Sequence, residues 1–367
     1  MTEQTYAPGT HPDLPPPSNT VGPIHWLQVN LFSNIPNTIV SLVAIYLLAI
    51  SIPAAIDWLF LKATYVGETR NDCARDGACW AFIGERLQLF IYGFYPEAER
   101  WRVDLSAIML AVAIAAVLWE RMPARGWMLI YAAVYPFIAG WLLTGGMGLT
   151  PVDTNDFGGV MLTVVIGITG IAFSLPIGIL LALGRQSNLP IIKYFSIGFI
   201  EFIRGVPLIT LLFVASTMLS YFLPPGSNFD LLLRVLIMVT LFASAYMAEV
   251  IRGGLQALPK GQKEAADSLG LNYWQAMRLI ILPQALTISI PGIVNTFIGL
   301  YKDTSLVIII GLLDVLGVGR ASVSDTAWVG LSTEVYLFVA VFFFITCFGM
   351  ARYSLHLENK LHTGHKH

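Results

Sequence analysis

The sequence predicts an all-α, polytopic membrane protein, and three observations carry that expectation. Hydrophobic residues make up 56% of the 367 positions and charged residues only 12%, with a mean hydropathy of +0.70. That is more apolar surface than a soluble fold buries. The apolar residues gather into runs of about 20, the length a helix needs to cross a bilayer core. A net charge of −2 gives no reason to expect a nucleic-acid or acidic partner. No G-x-x-x-x-G-K-[ST], Gly-Lys dipeptide, C-x-x-C or H-E-x-x-H occurs, so no nucleotide, redox or metal chemistry, and no cofactor, is expected of the chain itself.

In chain order, residues 1–37 are Pro-rich ("HPDLPPPSNTVGP") and have no apolar run before Trp26. They lack the basic and apolar segments of a signal peptide, so a disordered or extended tail is expected. Eight candidate spans follow, at about 38–60, 104–120, 127–145, 159–184, 206–223, 230–249, 287–312 and 335–352. A ninth apolar stretch, Leu87 to Tyr95, is too short to cross and reads as an interfacial segment. Residues 356–367 form a short closing tail.

Orientation rests on Lys and Arg. The loop after the first span, 61–103, carries Lys62, Arg70, Arg75, Arg86, Arg100 and Arg102, which taken alone would put the amino terminus outside. The short loops, where the rule is strongest, argue the reverse: Arg121 and Arg125, then Arg185, Lys193 and Arg204, then Arg252, Lys260, Lys263 and Arg278, then Arg352 and Lys360 share one side by parity. Both termini are therefore expected in the cytoplasm and loop 61–103 outside. An oxidising compartment there would let Cys73 and Cys79 form a disulfide; two free thiols are the alternative.

The chain divides near the Gly- and Pro-rich stretch Thr144 to Gly159. Residues 38–150 form a three-span extension, and 151–355 hold five spans with the polar signals in their loops. No tandem or inverted repeat is evident, which weighs against repeat-built secondary transporters. Within 250–285, "GQKEAADSLGLNYWQAMRLIILP" interrupts two apolar runs. Lys260–Glu264 and Lys263–Asp267 are oppositely charged at i,i+4, a helix-supporting arrangement. Gly270 can end that helix in the left-handed conformation, and Asn272 with Gln275 can cap a second one. Helix, glycine turn, helix is expected, with small Ala265 and Ala266 permitting close approach to a partner. A solvated connector is the alternative.

The same stretch carries a resemblance. Glu264-Ala265-Ala266, Gly270, Ile280 and Leu282-Pro283 match the E-A-A-x3-G-x9-I-x-L-P loop of ABC importer membrane subunits. Residues 155–355, with "FIEFIRGVPLITLLF", "YMAEVIRGGLQALPKGQ" and "NTFIGLYKDTSLVIIIGL", resemble the histidine/glutamine-type permeases for polar amino acids. With its three leading spans the chain is most similar to the longer permease subunit of general L-amino-acid uptake systems. The resemblance implies a type I importer core in a bacterial inner membrane and a coupling helix that docks into an ATPase. The implied partners are cytoplasmic ABC ATPase subunits binding ATP and Mg, a second homologous permease forming a heterodimer, and a periplasmic amino-acid-binding protein.

Asn295, Lys302, Asp303, Thr304 and Ser305 interrupt a span, where polar groups are costly unless paired or facing a polar cavity. They are candidates for a substrate pathway, and mutual pairing or a capped helix break explains them equally well. Glu249–Arg252 and Glu201–Arg204 read as local i,i+3 pairs at span ends. An ion-coupled secondary amino-acid transporter is the alternative function and a non-transporting scaffold a third; the E-A-A loop argues against both.

Overall fold

The computed structural model describes residues 22–119, 124–218, 221 and 229–361. Arg121, the outer parts of both tails and most of 219–223 lie outside them. The described chain forms two compact units: residues up to Val66 together with Asn71–Trp80, and Gly67–Arg70 together with everything from Ala81 onward.

In the first unit, α1 (Pro23–Leu31) precedes α2 (Ile35–Ile56). Helix α1 corrects the expectation of an extended tail: Pro23 occupies the first turn, where a missing N–H costs nothing. Asn34 caps α2 by accepting the Asn37 N–H at 2.9 Å. Helix α2 continues through a π turn, Asp57–Leu61, so one helical stretch of 27 residues is long and apolar enough to cross a membrane. At its end Lys62 reaches Asp57 at 2.8 Å and Asp76 at 3.3 Å. Cys73 and Cys79 are bridged, with Cα atoms 5.5 Å apart. The Thr64 N–H donates to Ala78 O and the Trp80 indole N–H to Leu59 O, each at 2.8 Å, which folds the bridged loop back onto the helix end.

The second unit opens with α3 (Trp80–Glu85) and α4 (Leu87–Tyr92), then α5 (Arg100–Leu118) and α6 (Arg125–Thr144). The rest is α7 (Gly159–Arg185), α8 (Pro190–Gly205), α9 (Leu208–Phe213), α10 (Leu231–Ala257), α11 (Gly261–Ser268), α12 (Tyr273–Ala276), α13 (Leu282–Asp303), α14 (Val315–Val323) and α15 (Ser332–Leu361). Helix α10 is the centre, packed along α7 and α13, with α15 against α13 and α14, and α5 paired with α6. Two core clusters stabilise it by apolar burial. One, around Leu162, Ile166, Val235, Val239 and Leu300, lies toward the start of α7; the other, around Leu181, Ile200, Met247, Ile251 and Ile293, lies toward its end. Helices α10 and α13 approach closely at Gly254, where an added Cβ would fall 2.5 Å from Ala285 O.

Across the described residues, seven helices are long and apolar enough to span, or eight if one bent pair counts as a span. That pair corrects the expected fifth span at 206–223. The helix begins at Pro190, runs to Gly205 and turns by 101° before Leu208. Lys193, Glu201 and Arg204 made Pro190–Gly205 look like a loop, but Glu201 and Arg204 find partners on neighbouring helices. The expected spans also prove shorter than the helices: α10 runs to Ala257, and the helical stretch holding α13 begins at Tyr273 and ends at Ile310. Leu87–Tyr95 packs one side into the protein and leaves Leu87, Ile91 and Phe94 exposed. Its Phe90 is fully buried against Phe338 of α15, at 4.8 Å between ring centroids, and α4 packs on α7 and α14.

Beyond α13, a 3₁₀ turn (Thr304–Ile310) and Gly311 lead to β1 (Leu313–Asp314), which pairs in parallel with Gly158 and Gly159 at the start of α7. Asp314 is fully buried and caps α14, its Oδ1 accepting the Gly317 N–H at 2.9 Å. Its Oδ2 has no partner among the described residues, and burial pushes the carboxyl up to about 6.

Candidate functional site

The candidate site is the projection between α10 and α13. After Leu258 and Pro259 the chain turns into α11, and Ser268 Oγ bonds back to Glu264 O at 2.8 Å. Gly270 ends α11 at φ +71°, the left-handed region that glycine enters without a Cβ penalty. The Gly270 N–H donates to Asp267 O at 3.0 Å and the Leu271 N–H to Ala266 O at 3.2 Å, the two bonds of a Schellman cap. Asn272 then starts α12 with a capping box: its side chain accepts the Gln275 N–H at 2.9 Å, and the Gln275 side chain accepts the Asn272 N–H at 3.0 Å. Helix, glycine turn and capped helix follow as the residues dictate.

The expected ion pairs do not. Neither Lys260–Glu264 nor Lys263–Asp267 is among the ion pairs of the described residues. Lys260 stands before the first helical residue, and all four side chains are exposed, where water competes for each charge. The two alanines also part: Ala266 is fully buried and Ala265 exposed. Only Ala265 is free to meet a partner.

Ile280, Leu282 and Pro283 join the foot to the span. A π turn, Met277–Ile281, carries α12 into α13, closed by the Leu282 N–H on Met277 O. Pro283 follows at the start of α13, so the α-helical bond its nitrogen would have made is absent and a wider turn is accommodated. Gln284 anchors the junction, bonding Ile280 O at 2.9 Å and Gln262 Oε1 at 3.3 Å.

Beside the foot lies an open cavity of about 840 Å³, between it, the α7–α8 link and the end of α10. Leu183, Ile192, Leu255, Leu258 and Met277 supply apolar walls, and Lys260, Lys263 and Asp267 a charged rim. Leu269 is 74% and Trp274 69% exposed at the tip. Large apolar side chains presented among charges on a rigidly capped turn are suited to insertion into another protein's groove.

The span-end charges are connected more widely than their spacing suggests. Glu249–Arg252 forms at 2.8 Å, but Glu201 pairs with Arg185 of α7 at 2.9 Å rather than with Arg204. Arg204 approaches Glu249 at 3.6 Å, and Arg185 also holds Glu249 at 2.9 Å. Local spacing alone could not reveal these partners, which lie 64 and 16 residues away from Arg185.

The polar segment of α13 is divided. Asn295 and Lys302 are exposed, Asp303 and Ser305 half-buried, and no ion pair joins Lys302 to Asp303 among the described residues. Thr304 is fully buried and donates to Tyr301 O at 2.8 Å, while Ser305 donates to Lys302 O at 2.9 Å. Thr304 therefore serves the helix break. No group of three or more His, Cys, Asp or Glu among the described residues could hold a metal.

Residues 174–362 match the family of the binding-protein-dependent transport system inner membrane component. The inner membrane amino-acid ABC transporter permease protein YhdY of Escherichia coli K12 is 50% identical, over 97% of both chains. The glutamate/glutamine/aspartate/asparagine transport system permease protein BztC of Rhodobacter capsulatus is 45% identical, over 96% of both. A solved structure described as an amino acid ABC transporter with histidines is 29% identical and covers 55% of this chain and 91% of its own, at a TM-score of 0.49. The family works with a separate ATPase and a binding protein and holds no catalytic site of its own, and nothing favours an ion-coupled carrier. With its spans, its capped foot and relatives matched over nearly their whole length, this chain belongs to the amino-acid ABC importer permeases, the inner membrane components of binding-protein-dependent transport systems.

Proposed function

We propose that the foot is where this permease receives mechanical input from its ATPase subunits, with Glu264 and Ala265 at the contact, Ala266 and Gly270 holding its shape, and Ile280, Leu282 and Pro283 passing displacement into α13. The observation that carries this is a turn complete in its own hydrogen bonds yet unfinished at its surface, where Leu269 and Trp274 stand exposed beside the cavity. ATP and Mg belong to the ATPase subunits, and their closure biases the helices between outward- and inward-open states, a two-state coupling.

The second permease is a distinct homologous chain, making a heterodimer. Both termini and the foot lie in the cytoplasm, supported by the Arg and Lys of the short loops, and the Cys73–Cys79 loop lies outside. The cargo is L-amino acids handed over by a periplasmic binding protein, in the polar range named for the R. capsulatus relative. Asn295, Lys302, Asp303 and Ser305 are the groups offered to it.

The test is purification of the tagged chain from cells expressing the whole transport system, joined to thiol labelling. A stoichiometric ATPase should accompany the chain, and a Ser268→Cys variant should react with an impermeant maleimide only after the membrane is opened. Absence of the ATPase overturns the coupling role. Labelling of Ser268→Cys in intact cells overturns the orientation.

A further inference from the structure

Five charged side chains from three helices meet where α7 ends, close to the foot. Glu249 sits at their centre with its side chain only 15% exposed. Its Oε1 accepts Arg185 Nη1 at 2.9 Å; its Oε2 accepts Arg252 Nε at 3.0 Å and Nη2 at 2.8 Å, with Arg204 Nη1 at 3.6 Å. Arg185 also reaches Glu201 at 2.9 Å, and the Arg204 guanidinium lies 5.6 Å from the centre of the Tyr246 ring on α10. Three guanidinium groups thus share two carboxylates, and Glu249 is the one all three approach.

Position gives the cluster a consequence beyond stability. Helix α10 leads from Glu249 to the foot with no break before Ala257, a rise of about 12 Å at 1.5 Å per residue. Helix α8, held by Glu201 and Arg204, ends at Gly205 and turns by 101° before α9. The cluster therefore bridges the helix that carries the foot and the helix that ends at the 101° bend. Ile200 of α8 packs with Met247 and Ile251 in the same place, so contacts on both sides of the charges hold the helices together. Partly buried charges with several converging donors have few discrete arrangements, and leaving one unpaired is costly.

We propose that Glu249 is a positioning residue for transport, the shared counter-ion of a clamp through which displacement of the foot reaches the bend between α8 and α9. This rests on the foot being the ATPase contact. Without Glu249, Arg185 keeps Glu201 and Arg252 keeps Gln256, but Arg204 loses its carboxylate and the three guanidinium charges repel one another, so α8 is released from α10 and the foot moves without carrying the bend. Hydrolysis then continues while uptake does not.

The experiment uses the complete importer, with its ATPase, second permease and binding protein, in liposomes, measuring amino acid taken up per ATP hydrolysed. Glu249→Gln keeps the shape and removes the charge. It should assemble with the ATPase, hydrolyse ATP with little dependence on substrate-loaded binding protein, and lose at least tenfold in uptake per ATP. Glu249→Asp, which restores the charge, should recover part of that loss. A merely structural role would lower assembly or melting temperature and leave the ratio unchanged in the complexes that form. Uptake per ATP within twofold of the unmodified importer overturns the proposal. Should Glu249→Gln fail to assemble, Glu201→Gln, which opens only the outer link to Arg185, decides: a threefold or greater fall in the ratio supports the clamp, and an unchanged ratio overturns it. Failure of the unmodified chain to bind an ATPase overturns the foot reading instead.

Discussion

The foot and the Asp314 corner use one local design in opposite surroundings. Gly270 and Gly311 both stand in the left-handed region, at φ +71° and +92°. At each, the glycine N–H bonds the carbonyl three residues back and the next N–H the carbonyl five back: Asp267 and Ala266 at the foot, Ile308 and Val307 at the corner. Asn272 and Asp314 then cap the following helix. Burial separates them. Asn272 is exposed and Leu271 half-buried, whereas Asp314 is wholly buried and Leu312 only 2% exposed. The corner is finished by Gly158, Gly159 and Thr163, the last accepting the Val315 N–H at 3.3 Å. At the foot Ala266 is buried and Gln262 bonds Gln284, but Leu269 and Trp274 stay exposed among the described residues. The same pair of backbone hydrogen bonds thus closes an internal joint in one place and an exposed turn, the proposed ATPase contact, in the other.

Matched substitutions at the two glycines break the comparison most severely. Valine at either position strains a left-handed residue by about 1–3 kcal/mol, since the position is conformationally demanding though no atom stands within 4 Å of an added Cβ. Gly270→Val should leave membrane abundance near normal and abolish ATP-coupled uptake, because only the aim of an exposed foot changes. Gly311→Val should lower abundance and melting temperature, because the strain falls on an exposed glycine whose turn seats the buried Leu312 and Asp314. Equal loss of abundance in both would remove the distinction; wild-type uptake by Gly270→Val would make the foot a mere connector.

Next in size is the pH response of the corner. Burial raises the Asp314 carboxyl from 3.8 to about 6, so the folded chain holds this proton more tightly than the unfolded one. The stability it contributes is fully present below 3.8 and is lost as pH rises through about 6, a difference of roughly 3 kcal/mol. Asp314→Asn keeps a capping oxygen and carries no charge, so its melting temperature in detergent should rise relative to the unmodified chain between pH 5 and pH 8. A constant offset across that range would show that the carboxyl stays ionised.

The equivalent loss at the foot is smaller. Asn272→Ala removes one exposed cap, a cost of about 1 kcal/mol. It should leave the global melting temperature within a few degrees while reducing uptake per ATP severalfold. Collapse of the whole fold would mean that the foot is part of the core.

The smallest effect on this chain should come from Glu264→Lys. Glu264 has no ion pair among the described residues, so melting of the isolated permease should be unchanged, whereas binding of the ATPase, measured by titration, should weaken. Unaltered binding would take Glu264 out of the contact.

What the residues foretold follows the range of the forces involved. The Gly270 stop and the Asn272–Gln275 capping box depend on atoms within five positions of one another, and both form as their spacing requires. The span count was legible because hydrophobicity accumulates over a whole helix. Helix α8 was missed because its charges look like a loop until their partners, 16 and 45 residues away, are in place. The packing of Phe90 against Phe338, 248 positions later, was not legible because nothing in "LQLFIYGFY" announces its partner.

The sequence by itself determined the all-helical membrane architecture, the turn at the foot and the loop motif that names its family, since each depends on composition or on neighbours along the chain. The tertiary structure alone decided which of two matched turns is buried, which arginines share Glu249 and which polar residues of α13 stay exposed. Those outcomes depend on helices that meet only after folding, where desolvation makes an unpaired charge or amide costly and so favours arrangements that pair most of them, as the three arginines do around Glu249.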